Sequence, residues 1–255
     1  FKLYDTYGFP LDLTQLMARD RGLTVDEDGF SRAMAGQKER AKAAGKFSGD
    51  KDNIEWIDLT DGKDSEFLGY DTLESNSQIR RYAQQDDQIL VVLDKTPFYA
   101  ESGGQVGDTG EMTGDGIALQ VQDVVKANSV FIHICFGTMD EHNEVACKVD
   151  VARRKSIMKN HTAAHLIHKA LKDVLGDHVN QAGSLVHPDY MRFDLTHFEK
   201  LTKEQIRDIE NMVNDQILLN IELTVSIKDF DEAKEAGAEA LFGEKYGDEV
   251  RVIQV

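Results

Sequence analysis

The sequence has 255 residues, of which 41% are hydrophobic and 29% charged, with a formal net charge of −17. That profile is globular and suits two modest domains or one large one, while the negative charge argues against indiscriminate nucleic-acid binding, which rests on neutralising phosphates. No run of 18 apolar residues spans a membrane, and no basic segment leads into an apolar one as a signal peptide requires.

The chain opens at Phe1 without Met and closes on the apolar run Val250 to Val255, so both ends read as cuts through a longer protein. Residues 1–47 read as helical. Leu11, Leu13, Leu16 and Met17 begin an apolar face that Arg21-Gly22 ends. Thr24-Val25-Asp26-Glu27 reads as a capping box ahead of Phe30, Ala33, Met34 and Gln37 at helical spacing. Lys38 to Lys46 is a charged, alanine-rich tail, and Ser48 to Asn53 is a loop that marks the first domain boundary.

From 48 to 149 the pattern changes to short strands, at 54–57, 89–93, 117–125, 130–136 and 145–149, bounded by Gly, Asp and Asn clusters. Regular short runs predict a small antiparallel barrel or sandwich. Cys135 and Cys147 fall on two of these strands and read as buried, reduced thiols, because a disulfide framework or a CxxC site needs more cysteines or closer spacing. Reduced thiols favour a cytoplasmic location.

Over 150–255, a helix is predicted from Asp150 to Leu175, with Gly176 as its stop. Strands at 184–186 and 190–196 follow, the second with Met191, Phe193 and Leu195 on one side and Arg192 and Asp194 on the other. Thr202-Lys203-Glu204-Gln205 is a second capping box, opening a helix with Ile206, Ile209, Val213 and Ile217 on its buried face. A strand at 223–227, a helix begun over Asp229 to Glu232 and a terminal strand complete the region. The fold class is α+β.

Three local features carry chemistry. On the long helix, His161-Thr162-Ala163-Ala164-His165 sets two imidazoles at i and i+4 on one face, where they can grip one metal ion. His168 falls near the same face. Thr162 stands where the zincin signature has glutamate, which disfavours a metalloprotease. Two imidazoles do not close a zinc site, and no Cys/His pair at ligand spacing follows. Between Val151 and Lys172 the chain carries Arg153, Arg154, Lys155, Lys159, Lys169 and Lys172 and no acidic residue. This is either a surface for a phosphate backbone or a solvated basic face.

The second feature, Thr96 to Gly110, places four glycines within eight residues, which permits positive φ and close backbone approach to a ligand. It lacks the Lys-Ser/Thr of a P-loop, so nucleotide binding by that mode is not supported, and a pair of tight barrel turns is the plainer alternative. The third is the polar turn Asn180-Gln181-Ala182-Gly183-Ser184, just after the histidine helix.

These segments carry a resemblance. Leu3 to Thr14 resembles the segment closing the helical tRNA-recognition domain of the alanyl-tRNA synthetase family. Phe98-Tyr99-Ala100-Glu101-Ser102-Gly103-Gly104-Gln105 resembles the glycine-rich signature of that family's editing region. Asn160 to Leu166, Gln181 to Val186 and Arg192-Phe193-Asp194 match its editing core in order and spacing.

The resemblance implies a helical end of the tRNA-recognition domain (1–47), a glycine-rich β-barrel (48–149) and an α+β editing core (150–255) with the HxxxH helix packed on an antiparallel sheet. It implies hydrolysis of Ser-tRNA and Gly-tRNA wrongly formed on alanine tRNA. The expected zinc has four ligands, His161 and His165 as the first pair and a second pair beyond Val255, which leaves the site half-built here. ATP chemistry belongs to the rest of the synthetase chain. Ala164, where many family members carry Thr, together with Gln181, Gly183, Ser184, Arg192 and Asp194, is implied near the substrate. Ser102, Gly103, Gly104, Gln105, Arg153, Arg154, Lys155 and Lys159 are implied toward the tRNA and its CCA end. The rival expectation is a tRNA-docking or structural fragment without hydrolysis. A generic zinc hydrolase is disfavoured, because HExxH and a visible base are both missing.

Overall fold

The structure, a computed structural model, describes residues 2, 11–19, 21–27, 29–34, 54–127, 129–238 and 249–254. The chain divides into two compact units, Phe1–Ile54 and Glu55–Val255. In the first unit, α1 (Leu11–Arg19) ends at the predicted glycine. Gly22 takes φ +68°, its N–H donates to Arg19 O (3.0 Å), and Leu23 N–H donates to Ala18 O (2.8 Å), a Schellman closure of the last carbonyls. A further helical stretch covers 29–34. Its cap is Asp26, whose carboxylate accepts from Gly29 N–H at 2.8 Å, two positions beyond the Thr24 that the capping box picks. Residues 3–10 of the first motif, the 38–46 tail and the 48–53 loop lie outside the described residues.

In the second unit, β1 (Ile57–Asp58) and β2 (Glu66–Phe67) lead into β3 (Glu74–Gln85) and β4 (Gln88–Leu93). Then come β5 (Lys95–Thr96), β6 (Gly110–Gly114), β7 (Ile117–Ala127), β8 (Val130–Thr138) and β9 (Glu144–Val149). Six of these close an antiparallel barrel in the order β3-β4-β8-β7-β6-β9, with β9 returning to β3. Closure leaves none of the six at an open edge. β1 adds to β3, and β2 pairs in parallel with β5.

The barrel interior includes Ile79, Val91, Leu93, Phe98, Met112, Leu119, Val121 and Val124. On β7, Ile117, Leu119 and Val121 are buried at alternate positions. A bulge between Val121 and Asp123 then shifts the phase, so that Val124 is the next to be buried. β3 lacks such an apolar signal, because its inward positions include Ser77 and Ala83 as well as Ile79, and the strand prediction misses it. Cys135 and Cys147 are free, buried thiols as expected. Burial pushes both up, Cys147 to about 11.

β9 feeds directly into α2 (Val151–Leu175). Asp150 caps the helix by accepting from Arg153 N–H at 3.0 Å, and Gly176 ends it at φ +107°. β10 (Gln181–Val186) and β11 (Met191–Leu195) form an antiparallel pair. α3 (Lys203–Leu219) opens with the predicted reciprocal capping box of Thr202 and Gln205. Ala170 and Leu171 of α2 pack with Ile209 and Val213 of α3, and Phe193 and Leu195 join them from β11. Ile206 and Ile217, expected on the buried face, are 43% and 53% exposed. The apolar stripe is turned toward Met212, which leaves those two isoleucines at its far margin. β12 (Thr224–Asp229), α4 (Phe230–Glu235), capped by Asp229, and β13 (Glu249–Gln254) follow, with β12 and β13 antiparallel. Among the described residues, no helix is long and apolar enough to cross a membrane.

Candidate functional site

The glycine-rich segment folds as a loop pinched at two levels. At its base, Asp108 N–H donates to Tyr99 O (2.9 Å), and Tyr99 N–H donates to the Asp108 carboxylate (2.7 Å). At its tip, Ser102 N–H donates to Gln105 O (3.1 Å) and Gln105 N–H donates to Ser102 O (2.9 Å), across Gly103 and Gly104 at φ +58° and +79°. Two consecutive left-handed residues give the two-residue turn that glycine adopts without strain. Gly104 meets a second demand as well. A Cβ there would lie 2.3 Å from Ser184 Oγ and 2.7 Å from Ser184 O, so the absence of a side chain lets the tip reach β10. The tip is fastened by Val186 N–H donating to Gly104 O (2.7 Å) and Val106 N–H donating to Val186 O (3.2 Å).

The first turn of α2 holds the base of the loop. Arg153 Nη1 donates to Gly107 O at 2.7 Å. Arg154, 5% exposed, directs Nε at both oxygens of Asp108 (2.9 Å each) and pairs with the same carboxylate through Nη2. It also donates to Gly69 O (2.8 Å) and Pro97 O (3.0 Å). Arg154 was expected to face a phosphate backbone, and the structure corrects that. A buried carboxylate needs a buried cation, and the guanidinium fork supplies one with its hydrogen bonds answered. Lys155 and Lys159 are exposed one turn apart on α2.

Where the loop tip, α2 and β10 meet lies a small cleft. Gly103 lines it from the loop, His161, Ala164 and His165 from α2, and Gln181, Ser184 and Val186 from β10. Its volume is about 10 Å³, room for roughly one water-sized group. The His161 and His165 rings are nearly parallel, 9° apart with centroids at 5.3 Å. His161 Nδ1 lies within hydrogen-bond distance of Gln105 Oε1, at 2.7 Å. Burial, and then the neighbouring His165, hold the His161 pKa below the usual imidazole range. Gln181 Nε2 donates to Ser184 Oγ at 3.1 Å. Asn160 Nδ2 ties α2 to the β10–β11 turn by donating to His187 O (2.7 Å) and Pro188 O (3.1 Å).

Other predicted site residues stand outside the lining. Gly183 sits opposite Asp194 in the β10–β11 register, where a Cβ would lie 2.9 Å from the Asp194 carboxylate. Arg192 and Asp194 pair with each other at 3.1 Å, and both are substantially exposed. Ser102 is exposed at the turn, and Gln105 is buried behind it. His168 is buried with its ring against Phe193 (centroids 5.2 Å). Sequence reasoning missed Asp108 and Val186. Its place between Gly107 and Gly110 is the local signal that singles out Asp108.

Two imidazoles one helical turn apart are a donor set suited to zinc, as the first half of its ligands. Among the described residues, no group of three or more His, Cys, Asp and Glu side chains is arranged to hold a metal ion.

The family model described as tRNA synthetases class II (A) matches residues 1–153, more than half of the chain. An alanine–tRNA ligase of Cytophaga hutchinsonii is 49% identical over 259 residues, covering 99% of this chain and 29% of the relative. That of Bacillus pumilus is 47% identical over 269 residues, covering 100% of this chain and 30% of the relative. That of Thermoanaerobacter pseudethanolicus is 45% identical over 274 residues, with the same coverage of 100% and 30%. The chain therefore spans about 30% of the length of these curated relatives.

Proposed function

This chain belongs to the class II (A) tRNA synthetases, and from that premise we propose that the cleft is an editing site that hydrolyses the ester of wrongly charged alanine tRNA. The observation that carries this reading is the convergence of His161, His165, Gln181 and Ser184 on one opening beside Gly103. A synthetic site for alanine must reject glycine, one methyl smaller, and serine, one hydroxyl larger. A missing methyl group yields only about 1–3 kcal/mol of discrimination, and a pocket cannot strongly reject a near-isostere. A second site that destroys the wrong product makes up the difference.

The residues suit that task. The amide of Gln181 and the hydroxyl of Ser184 offer serine's hydroxyl hydrogen-bonding partners, and Ala164 supplies an apolar wall. The glycine turn lets the CCA end of the tRNA approach the backbone closely, and Lys155 and Lys159 are placed for its phosphates. His161 and His165 would hold zinc as its first pair of ligands, and when bound the ion supplies Lewis-acid polarisation of the ester or of a water. ATP chemistry is assigned to the remainder of the longer relatives. The setting is the cytoplasm, which the two free thiols support.

Single-turnover deacylation of Ser-tRNA(Ala) beside Ala-tRNA(Ala), by the full-length protein carrying this chain, tests the reading. Accelerated loss of serine with alanine spared is expected. Spontaneous rates for both esters would favour a tRNA-docking element without hydrolysis.

A further inference from the structure

The hydrogen bond between Gln105 and His161 joins residues from two parts of the second unit, and it bears on which imidazole nitrogen faces a ligand. We propose that Gln105 is a positioning residue that holds His161 as its Nδ1–H tautomer, so that docking of the glycine-rich loop presets the Nε2 lone pair for a divalent cation. The metal half rests on the reading above, and the tautomer half stands without it.

An amide oxygen only accepts, so the 2.7 Å contact from His161 Nδ1 to Gln105 Oε1 puts the proton on Nδ1. The neutral ring then has one lone pair, on Nε2, across the ring from Gln105. A histidine side chain free in water prefers the opposite tautomer, so the protein has to impose this one.

Gln105 is built to impose it. The residue is 6% exposed, which removes water as a competitor for the amide. Its backbone is fixed by the two-way pairing with Ser102 at 2.9 and 3.1 Å. Gly104 and Val106 on either side are bonded to Val186 of β10 at 2.7 and 3.2 Å. The side chain crosses from that anchored loop to α2. Gln105 was expected to meet RNA, but its amide is turned into the protein and occupied by His161. Metal-ligating histidines commonly donate their second N–H in this way, which fixes the tautomer and raises ligand basicity.

The test uses this chain with histidine labelled with nitrogen-15, metal-free and at neutral pH, as wild type, Gln105→Met and Gln105→Glu. The His161 signals are assigned by their loss in His161→Asn. Wild type and Gln105→Glu, which both present an acceptor, should show a protonated Nδ1 and a bare Nε2. Gln105→Met, of similar length without that acceptor, should revert toward Nε2–H. Titration of the full-length proteins carrying the same substitutions with Co2+ should show binding weakened by roughly 10–100-fold in Gln105→Met and retained in Gln105→Glu. An Nε2–H tautomer in wild type, or a wild-type tautomer in Gln105→Met, overturns the proposal. The expected tautomers with no Co2+ binding by any of the three full-length proteins would uphold the tautomer assignment and overturn the metal reading alone.

Discussion

Arg154 and Asp108 form a buried pair that locks the first turn of α2 to the base of the glycine-rich loop, with Arg154 Nε 2.9 Å from each carboxylate oxygen. Gly69 O and Pro97 O accept from the other two guanidinium nitrogens. Removing one partner of such a pair strands a buried charge, which costs about 3–5 kcal/mol. Arg154→Ala should destabilise the chain by that amount in urea unfolding. Arg154→Lys, which lacks the fork, should recover only part of it. Wild-type stability in Arg154→Ala would show that the pair does not hold the loop.

The basic character of α2 narrows to its exposed lysines. Lys155→Ala with Lys159→Ala should weaken tRNA binding and flatten its dependence on salt, by roughly one unit of log–log slope for each phosphate contact removed. Unchanged affinity and slope would make that surface a solvated face.

Arg154 and Lys155 also show where a sequence stops being readable. They are adjacent and equally charged, yet one is inside and the other outside, because Arg154 answers a carboxylate 46 residues away. Gln105 and His161 are 56 residues apart, and nothing in the Gly-Gly-Gln motif says that its amide turns toward a helix. Local signals fared better. The Asp150 cap and the Gly176 stop bound the histidine helix where they were expected, and i,i+4 spacing is enough to set His161 beside His165. The apolar alternation of β7 was visible, whereas polar β3 is a strand because β4 and β9 pair with it on either side.

Inside the barrel, His133 Nδ1–H donates to Val91 O (2.9 Å), and Nε2 accepts from the Thr96 hydroxyl (2.8 Å). Burial pushes its pKa down to about 4, against a smaller opposing pull from the Val91 carbonyl. An unfolded histidine titrates near 6.5, so as pH falls the unfolded chain takes up this proton first. The contribution is complete above about pH 6.5 and is lost as pH falls toward about 4, with an upper bound of roughly 3 kcal/mol. Urea midpoints measured across that window should fall more steeply for wild type than for His133→Asn. Parallel slopes would remove His133 as the source.

Gln181→Ala in the full-length protein should slow deacylation of Ser-tRNA(Ala) more than that of Gly-tRNA(Ala), by about 1–3 kcal/mol, if the amide reads serine's hydroxyl. Equal losses would make Gln181 a general support of the cleft. Ala164→Thr adds a methyl and a hydroxyl to the opposite wall and should change the ratio of serine to alanine hydrolysis, and an unchanged ratio would take Ala164 out of the selectivity argument.

The most direct measurement is the rate of Ser-tRNA(Ala) deacylation by the full-length protein carrying His161→Ala, beside Glu210→Ala on the exposed surface of α3. If the cleft is where the ester is cut, His161→Ala falls to near the uncatalysed rate while Glu210→Ala keeps the wild-type rate. Wild-type hydrolysis by His161→Ala would put the chemistry elsewhere in the protein and contradict the assignment of this site.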